Sequence, residues 1–263
     1  MQKLTINGVE LRKYSSIADF EDFINNTPFN RVFRWEHHLS VTGTSHYAGT
    51  SNYEEAVDLL KHGSDDLSKR LEKAFKVKAI DVGTKTVTKS FYDVAGFQAS
   101  VPRYLQGIPT SMINQKKIIQ KAKVITLNKD MGYNSSWTPE EIINESVKAL
   151  AIVKKLESTG IRVNLNLCLA TGVDGQKIGC KIRLKNSSER LNISKMAFMM
   201  THPSMLRRIL LRWIEVNPDV TSKLFIGGYG RPMDIRIIQE KSEYTLPARI
   251  RNVDDVVRDM QVI

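Results

Sequence analysis

The hydrophobic pattern is clearest in the second half of the chain, where apolar runs alternate with amphipathic segments. Residues 123–127 (KVITL) and 161–169 (IRVNLNLCL) are short apolar or alternating runs that predict strands. Between them, residues 138–160 begin with a capping box, carry proline at the first helical position and end at a glycine, which predicts a long helix. Residues 176–184 alternate again and predict a strand antiparallel to its predecessor.

The remaining elements of this half continue the alternation. Ser194 opens a helical pattern that Pro203 interrupts and that resumes as far as Trp213. Residues 223–226 (KLFI) predict a further strand, and residues 252–260 predict a last amphipathic helix. This order predicts an α/β fold with a mostly parallel sheet that has one antiparallel edge and is flanked by helices.

The first half is less regular and predicts a smaller α+β region over residues 1–115, followed by the α/β domain over residues 116–263. A hairpin is expected at Asn7-Gly8, because apolar and polar residues alternate on both sides of it. Residues 76–90 alternate and predict β-structure, and a loop-rich connector with one short helix follows them. Helices are predicted to begin after Ser16, Ser51 and Ser64.

Composition narrows the class of protein. The 263 residues are 41% hydrophobic, which is enough for a substantial core. Two cysteines, Cys168 and Cys180, exclude a secreted disulfide framework. A disulfide between neighbouring strands stays open, but two reduced thiols are favoured. No stretch has the length of a membrane span or signal peptide, so we expect a cytosolic protein, or one that enters a particle assembled in the cytosol.

Charge points to an acidic partner, because the formal net charge is +11. Residues 103–129 contain six cations and no acid, and residues 181–212 contain eight cations and one acid. Lys181, Arg183 and Lys185 alternate, which predicts that they project from one strand face as a phosphate-tracking surface. The candidate nucleic-acid contacts are Lys116, Lys117, Lys181, Arg183, Lys185, Arg207, Arg208, Arg212, Arg31 and Arg34, with Phe29, Phe33 and Trp35 as base-stacking partners.

Catalytic and cofactor motifs are missing from the sequence. It contains no H-E-x-x-H, no paired C-x-x-C and no G-x-S-x-G. The glycine-rich loop 43–51 departs from a P-loop, since its glycines are one residue too far apart and no lysine follows. We therefore expect no catalytic residues and no cofactor, and a non-enzymatic protein is favoured.

Several segments resemble known families. The order of a strand, a polar loop, a long capped helix and a strand after LESTGIRV is similar to the start of von Willebrand A domains. The same stretch, with THPSMLRR, GGYGRP, TSNYEEAVDLLKHG and VAGFQASVPRYLQGIPTSM, also resembles an uncharacterised family of bacteriophage proteins. The resemblance covers most of the chain and is strongest over residues 121–232. It implies a von Willebrand A-like or Rossmann-like C-terminal half and a viral protein of the host cytoplasm or a virion.

The resemblance also implies a degraded metal site. Asn128 stands where the metal-binding domains have their first aspartate, and Gly227-Gly228 stands where they usually place another. Because Mg²⁺ prefers several hard oxygen ligands, we expect no metal there. Ligands of open α/β sheets still bind outside the carboxyl ends of the strands. The candidates for a ligand or partner at that edge are Asp130, Ser135, Ser136, Thr171, Tyr229 and Arg231.

Three functions follow from these patterns. The leading hypothesis is a phage-type intracellular protein that associates with nucleic acid, DNA or RNA, or mediates assembly through basic surfaces. A second is a protein-protein interaction adaptor that binds an acidic host or phage protein. A third is a small-ligand or nucleotide binder, or an enzyme, at the carboxyl edge of the sheet.

Overall fold

A computed structural model of the protein describes residues 1–28, 39–75, 86–119, 123–173, 176–217 and 232–261. The strand predicted over residues 223–226 and the first part of the β-structure predicted over residues 76–90 lie outside these ranges. No helix within them is long and apolar enough to cross a membrane.

These ranges contain both helices and strands. The strands are β1 (Gln2–Ile6), β2 (Val9–Tyr14), β3 (Thr86–Asp93), β4 (Gln98–Ala99), β5 (Met112–Ile119), β6 (Val124–Asp130), β7 (Arg162–Val173), β8 (Gln176–Lys185) and β9 (Glu243–Leu246). The α-helices are α1 (Ile17–Asn26), α2 (Leu39–Thr42), α3 (Ser45–Ala48), α4 (Tyr53–His62), α5 (Asp65–Phe75), α6 (Val101–Leu105), α7 (Pro139–Ser158), α8 (Ile193–Thr201), α9 (Leu211–Glu215) and α10 (Val253–Gln261). A π-helical segment covers Met205–Leu210, and a 3-10 helix covers Ile235–Ile238.

Six strands form one mixed sheet in the order β1-β2-β8-β7-β6-β9. The pairs β2/β8, β6/β7 and β6/β9 are parallel, whereas β1/β2 and β7/β8 are antiparallel. The expected α/β fold with a largely parallel sheet and flanking helices is therefore confirmed in outline. The antiparallel pairing of β7 with β8 is also confirmed, but it lies inside the sheet and not at its edge.

The predicted boundary at residue 115 does not separate two cores. Strand β2 near the N-terminus pairs in parallel with β8, so the N-terminal hairpin extends the sheet of the second half. Residue 115 itself lies within β5. This pairing joins residues about 170 positions apart in the chain, for example Lys13 and Lys181, and no local pattern encodes such a contact. The division into regions 1–115 and 116–263 stays a prediction, and the large sheet includes strands from both regions.

Local signals were reliable where the backbone depends on single residues. Asn7 and Gly8 have φ angles of 50° and 74° in the turn between β1 and β2, as a type I′ hairpin requires. Thr138 and Glu141 form the predicted capping box at the start of α7. One cap is displaced, because Asn52 and not Ser51 accepts the amide of Glu55 at the start of α4.

The two faces of the sheet differ in what covers them. One face packs against helices, including α7 and α8, and forms the main core, which contains Leu165, Cys180 and Trp213. The other face has a smaller apolar cluster, which contains Leu11, Cys168 and Ile238 of the 3-10 helix. The two cysteines are buried free thiols, as favoured, and they belong to different clusters.

A second, three-stranded antiparallel sheet has the order β3-β5-β4. It occupies residues 86–119 together with the short helix α6, and we call these residues the arm. The predicted connector with one short helix is therefore a small β-structure of its own.

Candidate functional site

The predicted phosphate-tracking face of β8 is largely internal. The Lys181 side chain is 2% exposed, and its Nζ lies 3.0 Å from Glu240 Oε1 and 2.7 Å from Glu243 Oε2. Lys185 is 1% exposed and forms an ion pair of 2.6 Å with Glu157 of α7. A register shift between β7 and β8 interrupts the alternation just before Lys185, so the three predicted cations do not share one surface.

The arginines of the following helices are also internal. Arg208 is completely buried, and its guanidinium donates hydrogen bonds to the carbonyls of Ser40, Gly43 and Thr50 at 2.9, 3.0 and 2.8 Å. Arg207 donates to the carbonyl of Tyr47 at 2.7 Å. Neither side chain reaches solvent as the predicted phosphate contact requires, because the segment 39–51 covers the helix that carries them. Instead, these two arginines bind the segment 39–51 through hydrogen bonds to its backbone carbonyls. Arg212 is buried too, at 6% exposure.

His202 lies in the same buried region and makes stability depend on pH. Its ring stacks on Phe198 at 5.3 Å, and burial lowers its pKa from 6.5 to about 4. The unfolded chain therefore binds more protons between these pH values, so stability is complete above pH 6.5 and is lost as the pH falls toward 4. We expect His202 to contribute a loss of up to about 3 kcal/mol over this window.

The substitution His202→Asn isolates this effect, because an amide oxygen can still accept the Ser204 amide that His202 Nδ1 accepts at 3.2 Å. Urea unfolding at pH 4, 5, 6 and 7 is expected to give a flatter stability curve for the variant. Parallel curves for the two proteins would show that His202 is protonated alike in both states.

The other nucleic-acid candidates are less buried or lie outside the described residues. Arg183 is partly exposed and lines a pocket of about 440 Å³ with Lys13, Asn166 and Lys181. Burial lowers its pKa, although Glu243 lies close enough to oppose that effect. Lys116 is exposed on the arm. Lys117 pairs with Thr88 through its backbone, and its side chain lies outside the described atoms, as do Arg31, Arg34, Phe29, Phe33 and Trp35.

The carboxyl edge of the sheet has a pocket at one of the predicted residues. Asp130 lines a space of about 490 Å³ with Asp234, Arg236 and Thr245. Its Oδ1 accepts the amide of Gly132 at 2.7 Å. Burial raises the pKa of Asp130 to about 6, although this hydrogen bond and the nearby Lys129 ammonium oppose the rise. The pocket therefore offers a carboxyl group that holds its proton more tightly than an exposed aspartate does.

The other edge candidates that the structure describes do not line the pocket beside Asp130. Thr171 is buried and forms an isolated bridge with Pro232, whereas Ser135 and Ser136 are exposed. Tyr229 and Arg231 lie outside the described residues. In the described part of the chain, no group of three or more His, Cys, Asp or Glu side chains could hold a metal ion. Among the four edge candidates that the structure describes, Asp130 is the one that lines this pocket.

The arm carries seven of the nine exposed large apolar side chains in the described part of the chain. Its strands and helix carry large apolar side chains that are between 40% and 78% exposed. Soluble monomers rarely leave many such side chains grouped on their surface, which makes the arm a candidate interaction surface. The exposed members are Phe91, Tyr92, Val94, Phe97, Val101, Tyr104 and Leu105.

Contacts within the arm hold its shape. Arg103 lies 4.2 Å from the ring centre of Tyr92, and its Nε donates to the Thr110 carbonyl at 3.0 Å. Lys89 of β3 stands directly opposite Lys116 of β5, and Phe91 follows on the same face. Like charges directly opposite each other repel, so this face favours a partner that brings negative charge.

Sequence reasoning missed the arm because its glycines and prolines are typical of a connector. A signal was present: residues 94–107 contain Val94, Phe97, Val101, Tyr104 and Leu105 but only one charged residue, Arg103. A connector is normally polar, so this composition indicates a surface meant to be covered.

The comparison with protein families places the whole chain in one family. The family model described as "Domain of unknown function (DUF7192)" matches residues 3–260, and the chain belongs to this family. The matched range includes both the six-stranded sheet and the arm. No curated protein and no solved structure matches the chain.

Proposed function

We propose that this protein is a non-enzymatic assembly subunit that associates with other protein subunits through the arm. The observation that carries the proposal is the group of seven large apolar side chains, 40% to 78% exposed, between Phe91 and Leu105. Covering a side chain of this kind contributes about 1.5–3 kcal/mol, so a few of them are enough for a stable contact.

The chemistry of the arm favours protein over nucleic acid as the partner. A surface for single-stranded nucleic acid combines aromatic rings with a basic groove. We call segment 94–107 the end of the arm. It contains the aromatic residues Phe97 and Tyr104 together with aliphatic residues, and Arg103 is its only charged residue. The aliphatic residues include Val94, Val101 and Leu105. Protein interfaces have this composition, with few charges at their centre and aromatic residues enriched.

Nucleic-acid association is a second candidate, with narrower support. Five of the seven predicted cations whose side chains the structure describes are buried, including Lys181, Lys185 and Arg208. The exposed Lys89 and Lys116 beside Phe91 still form a small basic and aromatic face on the arm. The salt dependence of binding distinguishes protein association from nucleic-acid association. The chain carries a net charge of +11, so salt strengthens its self-association by screening, whereas salt weakens phosphate binding.

The variant Phe97→Ser/Tyr104→Ser/Leu105→Ser tests the leading proposal. We expect it to weaken self-association of the purified protein by at least about 100-fold, because three apolar side chains stay in water. Multi-angle light scattering during serial dilution measures the change. The three residues are 61%, 71% and 78% exposed, so the variant is expected to unfold at the same temperature as the wild type.

Val124→Ser is the matched control, because Val124 is a half-exposed apolar residue outside the arm. It is expected to leave association unchanged. A wild type that stays monomeric at all concentrations would contradict the proposal. If that monomer bound single-stranded DNA or RNA with a steep salt dependence, the result would favour the second candidate, nucleic-acid association.

Two finer assignments belong with this proposal. The resemblance of THPSMLRR and GGYGRP to bacteriophage proteins supports a viral protein that acts in the host cytoplasm or a virion. The succession of β6, a polar loop, α7 and β7 supports a von Willebrand A-like relationship of the second half. A ligand at the edge pocket remains a third candidate, supported by the partly buried carboxyl of Asp130.

A further inference from the structure

Strand β3 lies at an edge of the arm sheet. In the described residues its one neighbour is β5, and no other described strand pairs with the backbone groups on its other side. Thr88, Lys89, Ser90, Phe91 and Tyr92 are all exposed. A free edge of this length, with β-branched and aromatic residues, is a template for another strand.

The sequence of β3 is complementary to itself when two copies run antiparallel. If Phe91 lies opposite Phe91 of a second copy, Lys89 lies opposite Asp93 and Asp93 lies opposite Lys89. Directly opposite residues share a face of the sheet, so these pairs are an aromatic pair flanked by two ion pairs. On the other face, Ser90 would then meet Tyr92, and the reverse.

This register also resolves a repulsion within each copy. Lys89 stands opposite Lys116 of β5 on an exposed face, and no acidic side chain of the described residues forms an ion pair with either. Asp93 of a second copy would place a carboxylate on the other side of Lys89. A lysine on an edge strand usually blocks pairing with other strands, so an acidic residue in register makes the pairing selective.

We propose that two copies of this chain pair antiparallel along the free edge of β3, centred on Phe91 with Lys89 opposite Asp93. The inference rests on the proposed function, since it specifies how the arm contacts another subunit. The contact has two-fold symmetry, which makes a closed dimer.

Cysteine pairs test the register. Along two antiparallel strands, directly opposite residues form hydrogen-bonded and non-hydrogen-bonded pairs in alternation. In a non-hydrogen-bonded pair the two side chains are close enough for a disulfide. Under mild oxidation we expect a covalent dimer either from Phe91→Cys alone or from a mixture of Ser90→Cys and Tyr92→Cys. Ser90→Cys alone and Tyr92→Cys alone are the matched controls and are expected to stay uncrosslinked. The native Cys168 and Cys180 are buried and do not interfere.

Charge reversal tests the same pairing without covalent chemistry. Lys89→Asp is expected to weaken the dimer at least 10-fold in sedimentation equilibrium, because it faces Asp93 of the partner. The double variant Lys89→Asp/Asp93→Lys is expected to restore it. Association that depends on the end of the arm but ignores both experiments would overturn the register and leave the proposed function standing. A protein that is monomeric throughout would overturn both.

Discussion

Replacing Arg208 with methionine is expected to lower the free energy of unfolding by at least about 4 kcal/mol. The side chain is completely buried, and its guanidinium donates five hydrogen bonds, all to uncharged acceptors of residues 40–50. Methionine fills similar space but donates none of these bonds, so buried carbonyls lose their partners. Urea unfolding at pH 7 measures the loss.

Arg258→Met is the matched control for this substitution. The Arg258 side chain is 72% exposed and pairs with Asp255 on the same helix at 3.3 Å. Exposed pairs of this kind contribute little, so the control is expected to change stability by less than about 0.5 kcal/mol. Similar losses for the two variants would show that Arg208 does not hold the segment 39–51 in place.

The second large effect concerns the ion pair between β8 and α7. Lys185 and Glu157 are 1% and 4% exposed, and their charged atoms lie 2.6 Å apart. Lys185→Met leaves the Glu157 carboxylate buried without a counter-charge, so we expect a loss of about 3–5 kcal/mol. Thermal and urea unfolding both measure this loss.

The double variant Lys185→Met/Glu157→Leu distinguishes the loss of the ion pair from the cost of leaving the Glu157 carboxylate buried without a counter-charge. With both charges removed, stability is expected to return to within about 1 kcal/mol of the wild type. Losses that simply add in the double variant would contradict a direct pairing of these two residues.

Local parts of the fold could be predicted because single residues decide them. Asn7 and Gly8 tolerate the positive φ of the first hairpin, and Thr138 caps α7 with its own side chain. The pairing of β2 with β8 could not be predicted in this way, because it depends on contacts between distant residues. The bulge before Lys185 was equally invisible, since it depends on how β8 aligns with β7.

The candidate sites were harder to predict than the fold. Lys181, Arg207 and Arg208 have the composition of a basic surface, but each is buried among carboxylates or carbonyls that other segments bring. Charge in a sequence does not state whether a side chain reaches solvent. Asp130 lies beside a pocket at the carboxyl edge, since the end of a strand in an α/β sheet restricts where its side chain can lie, and its role in binding a ligand stays a prediction.

Hydrogen–deuterium exchange of the intact protein at low and high concentration tests most directly whether the arm is the assembly surface. We expect the backbone amides of residues 88–105 to exchange more slowly as concentration rises, while those of α10 stay unchanged. The amides of β3 should show the largest change, because they would gain hydrogen bonds to a second strand. Exchange in the arm that is independent of concentration, while the protein associates through other residues, would contradict the arm as the site of assembly.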